Sequence, residues 1–188
     1  MTKICMIMAI GPKSVIGKGD KLIWHSKNDF YHFKAQTKGW PCLFGATTFY
    51  GLPKYPLKNR LNIVLNLDCK KTDIVTGTNG SWIETNDLNT ALELTKSYNK
   101  VFICGGKSIY KYCLDNNLID EVYLTKIETP DNSLEKEINL NPESFVYFPI
   151  DLDEYLKTWH KERLEYAEGM VAENYLCDFL KFTKYTNN

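Results

Sequence analysis

Val-Phe-Ile-Cys-Gly-Gly-Lys-Ser-Ile-Tyr, residues 101–110, is the stretch that decides the fold of this chain. Its apolar start predicts a buried strand over residues 101–104, two glycines end that strand, and the spacing that follows predicts a helix over 108–114. A second junction of the same kind follows a short predicted strand at residues 42–44, where Gly45-Ala46-Thr47-Thr48 leads into a helical turn over 47–52. Strands that alternate with helices in this way favour a parallel α/β sheet with helices on both faces.

The remaining chain extends this pattern. Further strands are predicted at residues 4–10, 60–66 and 121–127, and further helices at 27–37 and at 86–97, with Asn86 as a plausible cap. Residues 159–166 and 171–182 predict a hairpin around Glu168-Gly169, which would add an antiparallel edge to the sheet. The acidic, proline-containing segment 128–150 is interpreted as a long surface loop, and residues 183–188 as a C-terminal tail.

Composition restricts the class of protein. The chain has 188 residues, 44% hydrophobic side chains, and 23 basic against 23 acidic residues. This balance gives no electrostatic footprint for nucleic acid or for an anionic membrane, and the longest apolar run is too short to span a bilayer. We therefore expect one cytoplasmic domain over residues 1–188, with a monomer as the default.

Cysteines and histidines give no sign of a metal site. None of the six cysteines forms a C-x-x-C pair, and the three histidines have no ligand spacing. We expect free buried thiols in a reducing compartment and no bound metal.

The glycine junctions leave two interpretations open. Gly105-Gly106 lets a phosphate approach backbone amides at a helix N-terminus, but a tight strand-to-helix turn needs the same glycines. The stretch lacks the G-x-G-x-x-G spacing of an ordinary dinucleotide site. Two such junctions on one parallel sheet nevertheless suggest a dinucleotide with an extended backbone.

Two charged residues also have alternative roles. Asp29, in the first turn of the helix at 27–37, either complements the helix dipole or is a partly desolvated carboxylate that binds or protonates a ligand. Arg60 is either a solvated surface charge or a clamp for a carboxylate.

Seven stretches in the same order resemble dihydrofolate reductase over residues 4–180. They are Val15-Ile16-Gly17 with Leu22-Ile23-Trp24, Asp29-Phe30-Tyr31-His32-Phe33-Lys34, Leu43-Phe44-Gly45-Ala46-Thr47-Thr48-Phe49, Leu57-Lys58-Asn59-Arg60, Cys104-Gly105-Gly106 with Tyr110, Tyr123-Leu124-Thr125, and Tyr175-Leu176-Cys177-Asp178-Phe179. Each stretch is weak evidence alone, whereas the ordered set is specific.

The resemblance implies hydride transfer from a reduced nicotinamide to C6 of dihydrofolate, with a proton delivered to N5. The product, tetrahydrofolate, would serve thymidylate and purine synthesis. Asp29 would hydrogen-bond the amidine-like edge of the pterin and help set the protonation of N5. Thr125 would support Asp29, and Trp24 would help hold a water and close the active-site loop. In the family the Gly-Gly bond is cis.

The resemblance also implies two sets of binding residues. Those for dihydrofolate and folate analogues are Ile7, Asp29, Phe30, Phe33, Leu52, Leu57, Arg60, Cys104, Tyr110 and Thr125. Those for the cofactor are Ala9, Ile16, Gly17, Gly45, Ala46, Thr47, Thr48, Asn66, Leu67, Gly105, Gly106, Lys107, Ser108 and Ile109. The implied cofactor is NADPH.

Four departures from the family pattern stand out. Ala46 and Ser108 replace basic residues that usually contact the cofactor, so NADH stays open as a donor and Lys70, Lys71 and Lys107 are candidate substitutes. Ile23 replaces the proline before the tryptophan. His25 and Ser26 replace the usual residues after it. The family's G-D-T-x-F-P segment is absent except for Tyr147-Phe148-Pro149, which leaves the brace of the active-site loop without a counterpart.

Two classes of protein are alternatives to the reductase. A pyrimidine reductase of riboflavin biosynthesis shares the fold and NADPH. We would not expect such an enzyme to carry both Trp24 and Asp29 within the motifs quoted above. A weakly catalytic folate- or nucleotide-binding protein would have no need for a carboxylate in an apolar pocket.

Overall fold

The computed structural model describes residues 1–19, 21–165 and 171–185. Its strands are β1 (Lys3–Ile10), β2 (Val15–Lys18), β3 (Cys42–Gly45), β4 (Asn62–Leu65), β5 (Asp73–Gly77), β6 (Gly80–Thr85), β7 (Lys100–Ile103), β8 (Glu121–Glu128), β9 (Phe145–Tyr147), β10 (His160–Arg163) and β11 (Leu176–Thr183). Its α-helices are α1 (Lys27–Thr37), α2 (Ala46–Tyr50), α3 (Leu88–Glu93), α4 (Lys107–Asp115), α5 (Ser133–Leu140) and α6 (Leu152–Leu156). None of these helices combines the length and the apolar composition needed to cross a membrane.

The chain divides into two compact units, and β1 runs through both. The first unit comprises Met1–Met6 and Thr37–Ile119. Its strands lie in the order β1-β7-β3-β4-β6-β5, and every neighbouring pair is parallel except the antiparallel pair of β5 and β6. The predicted parallel α/β sheet is confirmed. Its central strands are continuous apolar runs because both of their faces are covered.

The second unit comprises Ile7–Gln36 and Asp120–Asn188. Here the order is β10-β11-β8-β1, and β11 pairs antiparallel with both β8 and β10. A separate antiparallel pair joins β2 to β9. The predicted antiparallel hairpin strands are therefore present, although β11 starts at Leu176, not at residue 171. The turn predicted at Glu168-Gly169 lies outside the described residues.

Each unit has its own buried core. In the first unit the largest fully buried side chains lie on β3, β7 and α2, among them Phe44, Phe49 and Phe102. In the second unit Trp24 packs with Val15, Leu134, Ile127, Ile138, Phe145, Cys177 and Phe179. Burial of each large apolar side chain contributes about 1.5–3 kcal/mol.

The interpretation of residues 128–150 as a long surface loop is wrong. The segment forms α5, a short 3-10 turn and β9, and it buries Leu134 and Ile138. These two residues are four positions apart, which places them on one face of the helix, and the polar residues between them hid that pattern. The expected tail starts late as well, because Thr183 still belongs to β11.

Other differences concern element limits and a missed hairpin. Helix α3 ends at Glu93 and is capped by Asp87, whose Oδ2 accepts a hydrogen bond from the Thr90 amide at 2.7 Å, so Asn86 is not the cap. Strands β5 and β6 were not predicted. Only Thr78 and Asn79 separate them, which is the loop length of a tight β-hairpin.

Candidate active site

Asp29 is an acidic group of the second unit whose pKa is strongly changed by its surroundings. It lies partly buried in the first turn of α1. Burial raises the pKa of this carboxyl to about 6; a hydrogen bond from the Thr125 hydroxyl opposes the rise, and the negative charge of Glu173 adds to it. Near neutral pH Asp29 therefore keeps a minor protonated fraction that is far larger than that of an ordinary carboxyl.

Thr125 is held rigidly below this carboxyl. It is 2% exposed and lies in the middle of β8, opposite Phe179 of β11. Antiparallel pairing on that side fixes the strand, so the hydroxyl can support Asp29 without moving. The structure thus brings Asp29 and Thr125 together, as the family resemblance implies.

Trp24 belongs to the apolar cluster of the same unit. It is 2% exposed, and its Nε1 has no hydrogen-bond partner among the described residues. A buried indole N–H is costly to leave unpaired, which fits the predicted contact with a water in the active site. Ile7 is buried in β1, Ala9 and Ile16 are partly buried, and Gly17 lies in β2.

His32 lies on α1, the helix that carries Asp29, and was not predicted as part of the site. It is 2% exposed and stacks on Phe179 with ring centroids 4.3 Å apart. Burial lowers the pKa of His32 to about 4, so the imidazole is neutral at physiological pH. Phe33 is partly buried and Phe30 is 60% exposed on this helix.

The glycine junctions lie close together in the first unit. The Gly105-Gly106 peptide bond is cis, as the family resemblance implies. The Gly45 amide donates a hydrogen bond to the Gly105 carbonyl at 2.6 Å. A Cβ on Gly106 would lie 2.8 Å from Oγ1 of Thr48, and a Cβ on Gly105 would lie 3.0 Å from the Tyr110 hydroxyl. These glycines form a cradle that side chains would fill.

Helices α2 and α4 begin at these junctions. Gly45 and Gly106 are their N-cap residues, and neither supplies a side-chain capping bond. The backbone amides at the N-terminus of α4 can therefore donate hydrogen bonds to a phosphate. The two glycine junctions together fit a dinucleotide with an extended backbone. Lys107 and Ser108 are exposed in the first turn of α4, whereas Ile109 is buried.

The other predicted residues of the first unit are spread along its loops. Leu52 and Leu57 are partly buried, and Cys104 is buried at the end of β7. Asn66 donates a hydrogen bond to Glu84, and Leu67 is 79% exposed.

Arg60 is partly buried and held by its neighbours. Its Nη1 donates to Oγ1 of Thr37 at 2.8 Å, and its Nε donates to the Lys58 carbonyl at 3.2 Å. These bonds already restrict the Arg60 side chain. A carboxylate that binds to Arg60 would therefore cost less side-chain conformational entropy.

The sequence and the fold are similar to those of known enzymes. A family model described as dihydrofolate reductase matches residues 3–184. The chain belongs to the dihydrofolate reductase family. It is therefore an oxidoreductase. A dihydrofolate reductase of Haemophilus influenzae is 28% identical over 180 residues, and the match covers 95% of this chain and 97% of that one. A dihydrofolate reductase of Neisseria meningitidis is 30% identical over 170 residues, covering 90% of this chain and 93% of that one.

A solved dihydrofolate reductase has the same fold. The enzyme from Enterococcus faecalis, complexed with NADP(H) and RAB-propyl, matches with a TM-score of 0.68 and 24% identity. The match covers 98% of this chain and 97% of that one. The dihydrofolate-reductase-like fold expected from the sequence is confirmed.

Three features of the second unit had no clear signal in the sequence. Ser26 and Glu173 accept hydrogen bonds from backbone amides in the first turn of α1, and Asn28, which belongs to that turn, donates from its side chain to the Val171 carbonyl. Ser26 precedes Asp29 by three residues, which is the spacing of an N-cap, but nothing local indicates Glu173. Residues 1–19, 21–165 and 171–185 hold no group of three or more His, Cys, Asp or Glu placed to bind a metal ion.

Proposed function

We propose that this chain reduces 7,8-dihydrofolate to 5,6,7,8-tetrahydrofolate with NADPH, and that Asp29 controls the proton that N5 receives. The observation that carries the proposal is the Asp29 carboxyl, partly buried, hydrogen-bonded to Thr125 and raised in pKa to about 6. NADPH supplies the hydride to C6 when it is bound.

Asp29 has two tasks in this scheme. As a carboxylate it accepts hydrogen bonds from the amidine-like edge of the pterin and so orients the ring. Because its pKa lies near neutral pH, it also supports proton delivery to N5 at the pH at which the enzyme works. Thr125 keeps the carboxyl in place, and the buried Trp24 N–H holds a water on the proton route.

The pocket for dihydrofolate is proposed to combine apolar walls with one cation. Ile7, Phe30, Phe33, Leu52, Leu57, Cys104 and Tyr110 are its apolar and aromatic members. Arg60 would bind the α-carboxylate of the glutamate tail, and such a charge-assisted bond contributes on the order of 1.5–3 kcal/mol.

The cofactor is proposed to bind at the glycine cradle. Gly45, Gly105 and Gly106 let its diphosphate approach the backbone, and Thr47 and Thr48 supply hydroxyls at the start of α2. Ala9, Ile16, Gly17, Ala46, Asn66, Leu67, Lys107, Ser108 and Ile109 complete the proposed set. Ala46 carries no charge for the adenosine phosphate. Among the three candidate lysines, Lys71 is paired with Asp73 at 3.2 Å, so Lys107 and Lys70 are proposed for that role.

The test is the loss of nicotinamide absorbance after dihydrofolate is added, measured in parallel with NADPH and NADH. Rapid oxidation that prefers NADPH is expected. Folded protein that oxidises neither cofactor would favour the weakly catalytic binding protein. Oxidation with a ribosylaminopyrimidine, but not with dihydrofolate, would favour the riboflavin-pathway reductase.

We also propose that the enzyme is a cytoplasmic monomer without nucleic-acid or membrane partners, in one domain over residues 1–188. The equal numbers of acidic and basic residues support the part of this proposal that concerns nucleic-acid and membrane partners. Sedimentation at several protein concentrations tests the oligomeric state.

A further inference from the structure

The first turn of α1, which carries Asp29, is capped by an acid from a distant part of the chain. A helix leaves its first backbone amides without partners inside the helix. Here the Lys27 amide donates to Oε2 of Glu173 at 2.8 Å, and the Asn28 amide donates to Oε1 at 3.4 Å. The Asp29 amide donates to Oγ of Ser26 at 3.0 Å. All three amides are thus satisfied by side chains.

The segment that carries Glu173 is fastened to the helix at a second point. Nδ2 of Asn28 donates to the Val171 carbonyl at 2.8 Å, and the Val171 amide donates back to Oδ1 of Asn28 at 2.8 Å. The Ser26 hydroxyl also donates to Oε1 of Glu173. The two hydrogen bonds between Asn28 and Val171, together with the Ser26 hydroxyl, fix the position of the Glu173 carboxylate.

Two carboxyl groups therefore meet the same helix N-terminus. Groups face Asp29 from each neighbouring element: Glu173 from the segment before β11 and Thr125 from β8 act on its carboxyl, and the Asp29 charge in turn acts on Cys177 of β11. Burial raises the pKa of the Cys177 thiol to about 11, so Cys177 is uncharged at neutral pH. On α1 itself, Lys27 and Lys34 are exposed, and His32 is neutral. Glu173 is the acid whose charge acts on Asp29.

We propose that Glu173 is a positioning residue of the reduction, which fixes the first turn of α1 and keeps a second negative charge beside the Asp29 carboxyl. The proposal rests on the role given to Asp29 above. A cap alone would only stabilise the helix. The second charge also favours the protonated form of Asp29 and so extends proton delivery to higher pH.

The experiment separates these two effects. Glu173→Gln keeps an oxygen that can accept from the Lys27 amide but removes the charge. Glu162→Gln, on exposed β10, is the matched control for the same change in net charge. For both variants and the wild type, the Asp29 titration is followed by carboxyl ¹³C NMR in the protein alone, and the rate of hydride transfer is measured against pH.

Glu173→Gln is expected to lower the midpoint of the Asp29 titration by about 0.5 pH unit. The pH profile of hydride transfer should shift by the same amount, which is about a threefold lower rate above the midpoint. Glu162→Gln should move neither. An unchanged Asp29 midpoint in Glu173→Gln, or an equal shift in the control, would overturn the proposal, even if the melting temperature falls.

A second variant covers the case in which Glu173→Gln does not fold. Asn28→Ala removes the clamp on Val171 but keeps both carboxyl groups, and the Asp29 midpoint should again fall, by a smaller amount. A midpoint that stays at the wild-type value would refute the positioning role. Because the NMR titration needs no substrate, a wild-type protein that fails to reduce dihydrofolate overturns the proposed function separately.

Discussion

The glycine cradle of the first unit and the Asp29 site of the second unit are specified in different ways. At Gly105 and Gly106 the site is formed by the backbone and depends on the lack of side chains. An added Cβ would meet Tyr110 or Thr48 within about 3 Å. At Asp29 it consists of side chains that are present, whose burial and charge set a pKa of about 6. The first kind of site is destroyed by adding atoms, whereas the second is destroyed by changing a charge.

The largest effect is expected when the charge of Asp29 is removed. Asp29→Asn keeps the shape of the side chain but cannot exchange a proton near neutral pH, so turnover should fall by roughly 10²–10⁴-fold. Steady-state rates from pH 5 to 9 would show this fall together with loss of the titration near pH 6. Full activity of this variant at neutral pH would exclude the role of the carboxyl.

Arg60 tests whether a side-chain site also exists in the first unit. Arg60→Leu should weaken folate binding by on the order of 10–100-fold, because one charge-assisted bond is lost. A pterin without the glutamate tail should bind as it does to the wild type, and calorimetric titration of both ligands makes the comparison. Equal losses would mean that Arg60 acts through its bond to Thr37 and is structural.

Asp29 should also lower the stability of the fold at neutral pH. Its pKa is about 6 in the folded chain against 3.8 ordinarily, so the folded state holds the proton more tightly. The stability that this proton gives is fully present below about pH 4 and is lost as the pH rises through 6. Asp29→Asn should therefore raise the free energy of unfolding by roughly 1–3 kcal/mol at pH 7.5.

Urea denaturation at both ends of this range checks the sign. At pH 4 the variant and the wild type should be nearly equal. A stability difference of the same size at pH 4 and at pH 7.5 would show that the effect is not caused by ionisation of Asp29.

The smallest effect in this comparison concerns an added methyl group. Gly105 and Gly39 both have positive φ angles, of 100° and 84°, but a Cβ on Gly39 would have nothing within 4 Å. Gly39→Ala therefore measures backbone strain alone, whereas Gly105→Ala adds a clash with the Tyr110 ring. The clash should cost about 1–2 kcal/mol more in unfolding free energy and raise the KM for NADPH. Equal stability losses, with KM unchanged, would contradict the cradle.

Much of the fold follows from local patterns in the sequence. The apolar runs that become β1, β3, β4, β7 and β8 are buried on both faces, and such runs are visible without an alignment. Helix α5 was missed because only Leu134 and Ile138 anchor it within an acidic stretch. The hairpin of β5 and β6 was missed although Thr78-Asn79, bounded by Gly77 and Gly80, carries a turn signal.

The site divides in the same way. Asp29, Trp24 and the glycine junctions lie within recognisable local motifs. Glu173 could not be found from the sequence, because its role depends on contacts with residues that lie far away in the chain. One contact of β2 also needed the structure: Lys18 pairs with Glu137 of α5 at 2.7 Å, where no family motif was present.

The cap on α1 has a consequence for the order in which the site is completed. Glu173 follows Lys27 by 146 residues, and ribosomes make chains from the N-terminus. Helix α1, which carries Asp29, is thus synthesised before Glu173. Its first turn gains its final hydrogen bonds only after residues 171 and 173 have emerged and docked. Such a distant contact forms late because a long loop must first close. The growing polypeptide therefore carries Asp29 long before the groups that surround this carboxyl exist, and its first turn reaches its final environment only after residues 171 and 173 have been translated.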